Sequence, residues 1–156
     1  MNHIYNNHMV RRGGTIVLGG LLTLFIGRVA GQLLVATMAP RWLPPMHAWY
    51  SGLIPYGLLL IAQIVIIGVF GAICRDFYRG AGYFFRSNRH FGRSVFLFGW
   101  VYLAGMILRY TIRMGMYPDE RWTGGCIPIF FHWVLAGFIL VFAGYHRYSI
   151  KNEATS

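Results

Sequence analysis

The chain has 156 residues, enough for one domain, and 56% of them are hydrophobic while only 12% are charged. A soluble domain carries about 25% charged residues, so this composition suits lipid rather than water. The net charge of +10 would point to nucleic acid in a soluble protein, but here the arginines fall in short segments between long apolar runs. Juxtamembrane cations of that kind attract anionic headgroups, at about 1 kcal/mol each near the surface.

A helix needs about 20 apolar residues to cross the hydrocarbon layer, and four segments qualify: 14–39, 50–73, 94–114 and 126–145. Lipid leaves helices as the economical way to satisfy the backbone, and no alternating ten-residue strands suggest a barrel. The expected fold is a single all-α membrane domain, 1–156, built as an antiparallel four-transmembrane-helix bundle. The first span lacks a small-residue cleavage site after a short apolar core and reads as retained rather than as a signal peptide. Within it, Gly27 and Gly31 lie four apart, a small-residue surface that favours close helix approach. Pro44 and Pro45 suit a rigid lead-in to the second span, and Pro55 is expected to kink it.

Cation placement sets the orientation. Arg11 and Arg12 precede the first span, Arg75, Arg79, Arg86, Arg89 and Arg93 fill the connection 74–93, and Arg147 and Lys151 follow the last. The connection 40–49 holds only Arg41, and in 115–125 Arg121 is balanced by Asp119 and Glu120. Both termini and the basic connection are therefore expected in the cytoplasm, in a multi-pass protein of the bacterial inner (plasma) membrane. Phe77, Tyr78, Tyr83, Phe84 and Phe85, interleaved with those arginines, suit an interfacial, lipid-facing loop. Cys74 and Cys126 fall at opposite membrane surfaces, about 30 Å apart, too far for a disulfide.

Polar residues inside the spans carry the chemistry. Arg28 lies near the middle of the first span with Gln32 one turn on, Gln63 is central in the second, and Arg109 and Arg113 lie toward the outer end of the third. No span contains an acid, so Arg28 has no carboxylate at its own depth and suits an anion or a haem propionate supplied from elsewhere. Arg109 and Arg113 can snorkel to the outer surface.

Four histidines form a pattern. His132 and His146 are fourteen residues apart on the last span, which places them about 21 Å apart along one helix face and about 40° around it. His47 lies near the outer surface with His132, and His90 near the inner surface with His146. Haem iron takes two axial side chains, so these pairs are candidate ligands for haem b. The fourteen-residue spacing resembles that of transmembrane di-haem b-type cytochromes, in which histidines on one helix ligate two haems. The resemblance covers His132 and His146 only, and implies electron transfer to or from a quinone or partner protein.

Other readings stay open. Small size, the glycine face and the unpaired arginine fit a non-enzymatic accessory or anchor subunit, partnered by another membrane protein or a second copy. Arg28, Gln32 and Gln63 could line an anion- or lipid-binding transporter cavity, although no inverted repeat or broken helix marks one. Met46, His47, Met114, Met116, Cys126 and His132 offer soft copper ligands without a motif to join them. No phosphate loop, zinc-protease helix or nucleophile elbow is present, so nothing in the sequence decides whether the chain is an enzyme.

Overall fold

The computed structural model of the chain describes residues 2–49, 54–86, 88–116 and 127–153, with backbone alone for 2–10, 47 and 149–153. The described residues are all-helical: α1 Asn2–Met38, α2 Met46–Trp49, α3 Tyr56–Arg79, α4 Arg89–Met116 and α5 Ile127–Glu153. Four stretches are long and apolar enough to cross a membrane: Arg11–Met38, Tyr56–Arg79, Arg89–Met116 and Ile127–Tyr148. Cys126 and the acids Asp119 and Glu120 with Arg121 lie outside the described residues.

The helices overrun the apolar segments at the arginine-rich end. α3 continues past residue 73 to Arg79, and α4 begins before residue 94 at Arg89. Hydropathy marks the length that lipid covers, whereas the hydrogen-bond ladder continues until a residue breaks it. At the other end Pro55 does not kink a helix. It sits in the N-cap position of α3 with φ −54 and ψ 135, outside the helix, and accepts hydrogen bonds from the Leu58 and Leu59 amides. A proline lacks the donor that an interior position needs, and this one costs the first turn nothing. Pro44 and Pro45 lead into α2, where the Ala48 amide donates to the Pro45 carbonyl at 2.9 Å.

In space the long helices are ordered α3, α1, α5, α4. α1 packs on both α3 and α5, and α5 on both α1 and α4; among the described residues α3 and α4 have no Cα atoms within 8 Å. Contacts pair Gln32 with Gln63 between α1 and α3, and Tyr102 with His132 between α4 and α5. At the arginine-rich end a core joins Leu18, Ile73, Phe77, Phe138 and Phe142. The Phe70 and Phe138 rings stack at 3.7 Å, and Phe77 meets Phe142 and Tyr145. Apolar burial from lipid offers little driving force, so such close packing has to hold the helices together.

Glycine provides the closest approach, though not where the sequence suggested it. Gly27 has open space beside it, and Gly31 faces the indole of Trp49 rather than another long helix. The tight seam is α4 on α5. A Cβ at Gly92 would lie 2.9 Å from the His146 Cβ, and one at Gly99 would lie 2.9 Å from Leu140 Cδ2.

Candidate functional site

The polar residues of α1 and α3 come together. Gln63 Nε2 donates to Gln32 Oε1 at 3.0 Å, with Gln32 at 0% and Gln63 at 3% exposure. Gln32 Nε2 and Gln63 Oε1 have no other partner. One turn away Arg28, 8% exposed, donates through Nη2 to the Trp49 carbonyl at 3.2 Å and lies 5.6 Å from the Phe131 ring centroid. Its Nε has no partner. A cation over an aromatic face gains electrostatically, and Tyr56 of α3 also lies near enough to interact with the guanidinium.

α5 carries both interior histidines toward α4. His132 Nδ1 is hydrogen-bonded to the Tyr102 hydroxyl, which fixes the ring orientation and leaves Nε2 as its other functional nitrogen. His146 is 1% exposed and meets the edges or faces of Phe91, Phe142 and Tyr145. Neither of its ring nitrogens makes a hydrogen bond of normal geometry, although the Phe84 backbone lies near enough to act on the ring. The ring forms part of a recess of about 370 Å³ lined also by Tyr83, Phe84, Arg86, Asn88 and Phe91. His90 is exposed on the first turn of α4 and does not line that recess. The His47 side chain lies outside the described residues. Among the described residues no group of three or more His, Cys, Asp or Glu side chains gathers to hold a metal ion.

The connection between α3 and α4 is an anchored structure. Gly80, at φ 67, ends α3 in the left-handed conformation, and the amides of Gly80 and Ala81 return to the carbonyls of Phe77 and Asp76. Buried Asp76 also accepts the Phe84 amide at 3.2 Å and pairs with exposed Arg75 at 3.4 Å. These bonds fold the loop back, so the expected interfacial aromatics divide. Phe77 belongs to the core, Phe84 and Phe85 pack against it, and Tyr78 and Tyr83 face outward. Alternating arginine and aromatic residues concealed this, because one internal acid is enough to turn the segment inward. Asn88 starts α4, accepting the Phe91 amide at 3.1 Å as an N-cap.

On the outward side of α4, exposed Arg109 and half-buried Arg113 line an open groove of about 360 Å³ with Gly105, Leu108, Ile112 and Met116. Sequence reading missed Tyr102, Asp76, Gly92 and Gly99. The last two had a signal, since their seven-residue spacing puts both glycines on one helix face. No protein-family model, curated protein or solved structure matches this chain.

Proposed function

We propose that the chain is a non-catalytic subunit of a larger membrane assembly, its helices antiparallel and both termini on the cytoplasmic side of a bacterial plasma membrane. The cation distribution supports that topology. The observation that carries the function is the outward groove of α4. There Gly105, with open space at its Cβ position, permits a close backbone, and Arg109 stands exposed between Leu108 and Ile112. A cation on a lipid-facing surface is costly and suits an acidic partner. Among the described residues a second copy offers none beside that groove, because the spans hold only Asp76, at the end of α3. We take the occupant to be a transmembrane helix of another protein bearing a carboxylate. A photo-crosslinker at position 105, followed by mild detergent extraction, is expected to capture such a protein, and Arg109→Glu to abolish capture. A stable monomer with no crosslinked neighbour refutes the proposal.

A second reading, a haem b electron-transfer subunit, is favoured by the placement of His132 and His146 on the α4-facing side of α5. The Tyr102 bond to His132 Nδ1 is the kind of outer contact that orients a ligating imidazole. In this reading Arg28 and Gln32 would meet a propionate, with His47 and His90 as the opposing ligands. A reduced-minus-oxidised haem b spectrum that loses one component in His132→Ala supports it. Haem-supplemented protein without such a spectrum rules it out.

A further inference from the structure

We infer that the recess between the α3–α4 loop and the start of α4 is a discrete site for the phosphate of an anionic phospholipid. Its volume, about 370 Å³, lies within the usual range of small-molecule sites, roughly 300–1,000 Å³. Two of its lining side chains can donate to phosphate. Arg86 is exposed, and its planar guanidinium matches two phosphate oxygens at once. Asn88 commits its side-chain oxygen to the Phe91 amide, which leaves its NH₂ hydrogens to donate. The same cap marks the N-terminus of α4, Arg89–Met116, whose aligned peptide dipoles favour negative charge at this end. His146 serves as floor and not as ligand, because it is buried and its ring nitrogens are shut off from solvent.

The local charge calls for an anion. The connection 74–93 holds Arg75, Arg79, Arg86, Arg89 and Arg93 against a single acid, Asp76. That acid is buried and already committed to the Phe84 amide and to Arg75. The same contacts fold the loop back, so Tyr83, Phe84 and Arg86 are presented from an anchored segment, which lowers the ordering cost of binding. The aromatic part of the lining selects a lipid over free phosphate. Tyr83 and Phe91 are exposed beside the recess, at the arginine-rich end of the apolar spans, where headgroups meet acyl chains. Free phosphate gains nothing from those rings. A phospholipid sets its phosphate on Arg86 and Asn88 and lays its glycerol esters against Tyr83 and Phe91.

The test places the full chain in phosphatidylcholine nanodiscs with a trace of phosphatidylglycerol carrying a diazirine near its glycerol. Labelling is expected within residues 83–91, competed by unlabelled phosphatidylglycerol and not by inorganic phosphate. Diffuse attraction weakens about fivefold for each arginine lost, wherever it stands. Arg86→Gln is therefore expected to lower the affinity more than twentyfold, and Arg93→Gln, which removes the same charge outside the recess, no more than fivefold. Asn88→Asp keeps the cap but sets a carboxylate in the recess. It is expected to weaken binding at least tenfold, and decides the matter if Arg86→Gln fails to fold. A loss in Arg86→Gln no larger than that in Arg93→Gln overturns the inference, because the lipid is then held by the overall charge. Labelling elsewhere overturns it too. Competition by inorganic phosphate makes the recess a free-phosphate site, and equal labelling by a diazirine phosphatidylcholine makes it a lipid contact without charge recognition; either result sinks the proposal. The discs contain no partner protein, so the outcome is independent of capture at Arg109 and the two proposals fail separately.

Discussion

The Gln32–Gln63 pair offers a stability test whose sign follows from counting atoms. The wild type has one interhelical hydrogen bond and two unpartnered polar atoms, Gln32 Nε2 and Gln63 Oε1. Turning both amides over reverses the bond and exchanges the orphans without changing either count. Gln63→Leu removes the bond and one orphan but creates another at Gln32 Oε1, so the number of orphans stays the same. Gln32→Leu does the equivalent on the other helix. Each single variant therefore loses the bond alone, which inside membranes averages about 0.6 kcal/mol and reaches about 1.7. The double variant also loses the bond, but it clears both orphans, each costing about 1–3 kcal/mol when buried. It is expected to be more stable than either single variant and at least as stable as the wild type. Reversible unfolding in mixed micelles measures all four corners of the cycle. Additive destabilisation, with the double variant the least stable, refutes the reasoning and means that the two amides hold something besides each other.

Two further outcomes test the packing and the loop. Gly92→Ala forces a Cβ against the backbone-proximal Cβ of His146, an overpacking cost of about 1–3 kcal/mol, whereas Gly105→Ala meets nothing within 4 Å. Both gain helix propensity of at most about 1 kcal/mol. Gly92→Ala is thus expected to melt below Gly105→Ala, and equal melting temperatures contradict the tight α4–α5 seam. Asp76→Ala removes a charge-assisted bond to the Phe84 amide, about 1.5–3 kcal/mol. It is expected to speed proteolysis within residues 80–88, whereas Asp76→Asn, which keeps an acceptor, has a smaller effect. Identical cleavage rates for wild type and Asp76→Ala would mean that the loop is held by its aromatics alone.

The four long helices were legible because lipid demands runs of apolar residues, and that demand is written into composition. Their neighbours were not legible. A four-helix bundle suggests that successive helices pack together, yet α3 and α4 stay apart and α5 takes the place beside α1. In lipid the outward residues are as apolar as the packed ones, so Leu97 and Phe138 look alike in sequence although one is exposed and the other buried. Arg28, Gln32 and Gln63 stood out because polar residues are rare at that depth, and the fold does bring the two glutamines together, with Arg28 one turn from Gln32. Tyr102 and Asp76 did not stand out. A tyrosine suits any membrane helix, and an aspartate beside arginines reads as surface charge until the loop is seen to close on it.

The spatial order of the helices differs from their order of synthesis. α1 and α3 can pair as soon as both have emerged, but α4 has no long-helix neighbour until α5 arrives and settles between α1 and α4. Until then the face bearing Gly92 and Gly99 lies uncovered in lipid, and Asn88 caps a helix with nothing beside it. A chain stopped before residue 127 would hold α1 paired with α3 and an α4 without a long-helix neighbour, so α5 is the element whose arrival commits the protein to its final shape.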